Sequence, residues 1–120
     1  MMIPEQFNTD INRELVRARE AQSSGNAGKA RTAARRAVGC ALRYWLKKYP
    51  RPDYPADTMH QIRRFVPEKQ IPPDVQEALL RLQARISDTF ESPSIYPIDD
   101  ALIIITYIRS DLGISDPSEG

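Results

Sequence analysis

Few side chains in this sequence carry acid–base, nucleophilic or ligating chemistry. His60 is the only histidine and Cys40 the only cysteine. General acid–base work near neutral pH wants a group that titrates there, and His60 is the one ordinary candidate. It has no second histidine and no carboxylate cluster around it, so no metal site is expected. Its place at the start of a short helix reads instead as a histidine hydrogen-bonded to a neighbouring loop. Cys40 lies among small residues in mid-helix and reads as a buried, inert thiol; a single cysteine excludes a disulfide within the chain. Asp99 and Asp100 fall in the first turn of a helix, where the helix dipole accounts for them. GNAGK lacks the G-x-x-x-x-G-K-[ST] spacing and the preceding strand of a phosphate loop. No serine has a readable base, so a hydrolase triad has no support. No cofactor is expected.

Charge is more informative. Ala27 to Lys48 contains Lys29, Arg31, Arg35, Arg36, Arg43, Lys47 and Lys48, six alanines, and no carboxylate. At helical spacing Lys29, Arg36, Arg43 and Lys47 fall in one band. Lys48, Arg51 and then His60, with Arg63 and Arg64, extend it. This is the candidate nucleic-acid surface: a cationic band tracks phosphates, and Tyr44, Tyr49 and Tyr54 lie near enough in sequence to stack on bases. The competing reading is a solvated face, or one covered by acidic residues of the second half such as Asp99 and Asp100. Residues 1 to 52 hold 11 Lys and Arg against 4 Asp and Glu, whereas residues 53 to 120 hold 6 against 12. That split, hidden in a net charge of +1, suits either a polyanion partner or mutual satisfaction between halves or copies.

The elements that must position these groups are helices. Phe7, Ile11, Leu15 and Ala18 recur at helical spacing, giving a first helix from Pro4 or Asp10 to Gln22. Ser23 to Asn26 stop it, and so short a turn makes the next helix an antiparallel neighbour. Ala30, Ala34, Ala37, Val38, Ala41, Leu42 and Trp45 form the apolar face of that second helix. Arg31 and Arg35 flank this face and are expected to find partners on adjacent helices.

Three prolines in YPRPDYP (49–55) break the chain. Asp57 or Thr58 caps a short third helix, with Met59, Ile62 and Phe65 or Val66 inward. A fourth starts at Pro73 and runs to about Phe90 on Val75, Leu79, Leu82 and Ile86. A last helix runs from near Ile98 to a stop at Gly113. Its ALIIITYI stretch is apolar nearly all round, so it is expected to face the bundle on one side and a second subunit on the other. Ile103, Ile104 and Tyr107 are the candidate dimer contacts.

With 120 residues, 41% of them hydrophobic and 28% charged, the expectation is one all-α domain over residues 1–114. It is an up-and-down bundle of four to five helices built on the N-terminal hairpin, with a loose tail at 115–120. No apolar run approaches the roughly 20 residues of a membrane span. MMIPEQFNTD lacks the charged start and apolar core of a signal peptide. A cytoplasmic protein is the default expectation.

Three stretches, EAQSSGNAGKARTAARRAVGCAL, HQIRRFVP and IYPIDDALIIITYI, occur in an order that resembles the HEPN domain. This is a small all-helical module of prokaryotic toxin and defence systems, and the likeness covers roughly Ile11 to Leu112. It implies a helical bundle, a homodimer, and binding to RNA, nucleotides or a nucleotidyltransferase-like protein partner. Many members are, or resemble, metal-independent ribonucleases, whose motif is an Arg followed after four to six residues by a His near the last helix. Here the nearest Arg upstream of His60 is Arg51, nine positions away, and Ser92 to Tyr96 contains neither residue. The ribonuclease activity is therefore not carried over. The leading expectation is a non-catalytic domain that dimerises and binds a protein or nucleic-acid partner. Two alternatives stand beside it: a divergent ribonuclease using His60 with Arg31, Arg35 or Arg64, and a TPR-like interaction hairpin, which the alanine-rich G-N-x-x-K-A turn resembles but which lacks a second copy.

Overall fold

The computed structural model describes residues 4–84 and 96–114. Within them the chain is all-helical: α1 Pro4–Ser23, α2 Ala27–Lys48, α3 Thr58–Phe65, α4 Pro73–Gln83 and α5 Pro97–Asp111, with no strand among the described residues. None of these helices is long and apolar enough to cross a membrane.

In α1, Phe7, Ile11, Leu15, Ala18 and Ala21 are buried along one stripe. The helix stops because Gly25 takes a left-handed φ of 78°, which a residue without Cβ adopts at little cost. The Asn26 N–H then closes on the Ala21 carbonyl at 2.8 Å. The Asn26 side-chain oxygen accepts from the Lys29 N–H at 3.0 Å and starts α2. Three residues thus reverse the chain, and α1 packs along α2 as the hairpin expected.

Helix α2 is the centre of the bundle and packs against all four others. Its alanines do what their size predicts: Ala30, Ala34, Ala37 and Ala41 are essentially inaccessible. Gly39 carries the same logic to α3, since a Cβ built there would stand 2.7 Å from Thr58 Cγ2. Trp45, fully buried, supplies the bulk. It meets Phe65 edge-to-face at 4.9 Å and Tyr49 at 5.1 Å.

Asp57 caps α3 by accepting from the His60 N–H at 3.1 Å. Ile62 and Phe65 are buried, while Met59 and Val66 pack at the margin. The Pro-rich connection before α3 is held by side chains. The Arg51 fork donates to both Glu68 oxygens at 3.1 and 3.2 Å, the Tyr54 hydroxyl donates to the same carboxylate, and Gln61 Nε2 donates to the Pro55 carbonyl at 2.9 Å.

Two expectations are corrected. The sequence pattern carries the fourth helix to about Phe90, yet α4 ends at Gln83, and Ala84 is extended. The reason is Arg35, whose Nε and Nη2 take the carbonyls of Leu82 and Ala84 at 2.7 and 2.8 Å. A guanidinium supplies there the donors that a further helical turn would have provided. Ile86 and Phe90 lie outside the described residues, as do Ser92 to Ile95 and the expected tail. On α5, Ile104 is 0% exposed and belongs to the core with Ile105 and Ile108, so it is no dimer contact. Ile103, 36% exposed, and half-buried Tyr107 do sit toward the outer side. The β-branched run reads apolar all round, but at 100° per residue Ile103 and Ile104 turn to different surroundings.

Candidate functional site

The cationic band of α2 does not form one continuous surface. At its C-terminal end each cation is engaged. Lys48 Nζ donates to the Asp111 carbonyl at 3.2 Å and lies over the Tyr49 ring. Lys47 lies 5.0 Å from the centre of the Tyr44 ring. Arg43 Nη2 donates to Cys40 Sγ at 3.2 Å. Arg51 is held by Glu68 and stacks 5.1 Å from Trp45, which corrects its expected role as a phosphate contact. His60 is exposed, with Nδ1 at 2.8 Å from Asp57 Oδ2. Its partner is thus the residue that caps its own helix. The hydrogen bonds from His60 hold the Asp57 carboxyl below its usual range.

The tyrosines proposed for base stacking are structural. Tyr44 is buried, meets Phe7 edge-to-face at 5.2 Å and donates to Asp10 Oδ2 at 2.9 Å. Burial first, and then that hydrogen bond, push its hydroxyl upward in pKa. Tyr49 lies against Trp45. Tyr54 is tied to Glu68, and burial followed by that contact raises it strongly. Cys40 is buried as expected, and desolvation raises its thiol. Asp100 pairs with Arg81 on α4 at 2.8 Å.

At the N-terminal end of α2 the situation reverses. Lys29 and Arg36 are exposed, and neither side chain makes a hydrogen bond or ion pair with the described residues. They line a groove of about 530 Å3 between α1 and α2, together with Arg17, Glu20, Thr32 and Ala33. Arg17 reaches it from α1 and leans on Glu14 at 3.3 Å. Two small residues, Ala21 and Ala33, let the helices approach beneath it. Sequence reasoning missed Arg17. An antiparallel reading about the Ser24–Asn26 turn would have found it, because residue 17 then faces the neighbourhood of residues 32 and 33.

A second group was only half foreseen. Arg35 finds the adjacent helix as expected, whereas Arg31 makes no hydrogen bond with the described residues, and its buried Nε has no partner among them. Among the described residues, no group of three or more His, Cys, Asp or Glu is placed to hold a metal. Of the residues of the divergent ribonuclease alternative, His60 is engaged by Asp57, Arg35 by α4 and Arg64 by Asp53, whereas Arg31 makes no hydrogen bond or ion pair with the described residues.

No protein-family model matches the chain, and neither a curated protein nor a solved structure matches it.

Proposed function

We propose that this chain is a non-catalytic, HEPN-like helical domain that binds RNA through the phosphate backbone in the α1–α2 groove. The observation that carries the reading is the contrast along one helix. Lys29 and Arg36 stand uncommitted beside an open groove, while Arg43, Lys47, Lys48 and Arg51 have partners within the fold. Arg17 adds a third cation from the facing helix. The positive end of the α2 dipole lies at the same place and adds to the local potential. Tyr44, Tyr49 and Tyr54 are each held by contacts within the fold, so the reading is of electrostatic contact without base readout.

The test is anisotropy of a labelled single-stranded RNA titrated at several salt concentrations. Three phosphate contacts give a slope of log K on log salt of about −2. The Lys29→Gln/Arg36→Gln variant removes about two-thirds of that slope, whereas Lys47→Gln leaves it unchanged. No binding at low salt, or equal binding by the double variant, overturns the reading.

Dimerisation belongs to the same reading and has its own observation. Tyr96, the residue that precedes α5, and Ile103 on α5 are exposed at 64% and 36%, with half-buried Tyr107 one turn on from Ile103. Sedimentation equilibrium of the wild type and Ile103→Glu tests it, and a monomer at all concentrations overturns it.

A further inference from the structure

Cations are not the only polar groups along the α1–α2 groove. Lys29 and Arg36 stand two turns apart on α2, about 10 Å along its axis. The antiparallel run from the Ser24–Asn26 turn sets Arg17 of α1 between their levels, across from Thr32, and sets Glu20 across from Lys29. Glu20, Ser24 and Thr32 line the same groove.

Where the hydroxyl protons go decides what these three can offer. Thr32 Oγ1 donates to the Gly28 carbonyl at 3.1 Å. Ser24 Oγ is turned to the Glu20 and Ala21 carbonyls, at 3.0 and 3.1 Å. A hydroxyl has one proton, and in both residues the backbone takes it, so each oxygen faces a ligand as an acceptor. An ionised carboxylate accepts only. The donors among the described lining side chains are therefore the cations and, at the turn end, the Asn26 amide. Glu20 and Thr32 interleave acceptors with those cations, whereas Ser24 lies beyond Lys29 toward the turn.

Phosphate satisfies the cations and is repelled by Glu20, so a plain polyanion meets a groove that works partly against it. That repulsion is offset when the ligand brings a hydroxyl donor, because an O–H to carboxylate bond is charge-assisted and strong. A nucleic-acid strand carries such a donor beside every phosphate only when its sugar is ribose.

We propose that Glu20 and Thr32 make the groove select RNA over DNA by accepting hydrogen bonds from ribose 2′-hydroxyls. The inference rests on the RNA reading above and adds the residues that tell the two nucleic acids apart. Lys29, Arg36 and Arg17 supply affinity, and Glu20 and Thr32 supply selectivity at the sugar.

The experiment measures anisotropy at low, constant salt with three labelled single strands: oligouridylate, its 2′-deoxy counterpart and its 2′-O-methyl counterpart. Uracil carries no amino group, so the 2′ position is what differs. The wild type should bind oligouridylate about tenfold more tightly than either other strand, the worth of one charge-assisted hydrogen bond. Glu20→Ala/Thr32→Val changes two exposed positions and should bring the three strands within about twofold, with the deoxy strand gaining affinity as the carboxylate goes. Lys29→Gln/Arg36→Gln should weaken all three strands and keep their ratio. Equal binding of the three strands by the wild type, weakened together in Lys29→Gln/Arg36→Gln, overturns this proposal and leaves the phosphate reading intact. An RNA preference undiminished in Glu20→Ala/Thr32→Val also overturns it. If no strand binds, both readings fall.

Discussion

The indole Nε1 of Trp45 donates to Asp111 Oδ2 at 3.0 Å, joining the largest buried ring of α2 to the last residue of α5. One residue therefore fills the core and ties down the C-terminal helix. Trp45→Ala should cost about 3–5 kcal/mol. Asp111→Ala should cost about 1 kcal/mol, the worth of a part-buried hydrogen bond. Urea unfolding curves give both values, and a Trp45→Ala variant as stable as wild type would contradict the burial of the ring.

Gly39 is set by its neighbour. Alanine is the better helix former by about 1 kcal/mol, but here its Cβ would stand 2.7 Å from Thr58 Cγ2 and 2.9 Å from Oγ1. Both atoms sit on a short, branched side chain that has little room to yield. Gly39→Ala is expected to destabilise by about 1–3 kcal/mol. Adding Thr58→Ala, which removes both atoms, should restore most of the loss. A double-mutant cycle measures this coupling, and additive effects would show that the contact is not the cause.

Glu68 predicts the acid response of the Pro-rich connection. The Arg51 hydrogen bonds, then the Tyr54 hydroxyl, hold its carboxyl below the usual range. A group depressed in the folded state binds its proton more readily when unfolded. Its stabilisation is complete above the unfolded value of about 4.3 and is lost as pH falls through the lower, folded value. The difference in thermal midpoint between wild type and Glu68→Gln should be flat from pH 6 to 8 and close below about pH 4. Tyr54 works in the opposite sense: its pKa is raised, so its contribution is present below about pH 10 and declines above it. A Glu68→Gln difference that persisted undiminished at pH 3 would contradict the assignment.

Ile103 and Ile104 make a paired control. Ile104→Glu places a carboxylate at a fully buried position and should abolish cooperative unfolding. Ile103→Glu meets partial exposure and should change stability by about 0.5 kcal/mol or less, while weakening self-association. Circular dichroism melts and sedimentation separate the two effects.

The helical hairpin was legible because its signals are local. The stripe of Phe7, Ile11 and Leu15, the Gly25–Asn26 stop and the alanine face of α2 each follow from neighbours in sequence. The end of α4 was not legible, because the group that stops it, Arg35, arrives from a helix 47 residues away in sequence. The candidate site shows the same divide. Lys29 and Arg36 were readable as a helix face. Which cations of that face stay free depended on Cys40, Tyr44, Asp111 and Glu68, partners that spacing alone does not pair with them. Spacing offers Arg31 a partner on an adjacent helix, and that it makes no hydrogen bond with the described residues follows only from how the helices pack.

Because α2 touches all four other helices, the bundle has no seam along which one half could open and leave the other intact. Loss of α2 from the core would expose Trp45, Val38 and Leu42 together with the stripes of α1, α3, α4 and α5 that rest on them. Amide protons in the middle of α2 should therefore exchange with solvent only when the whole chain unfolds. Their protection would equal the global stability, while the first turn of α1 frays at far lower cost.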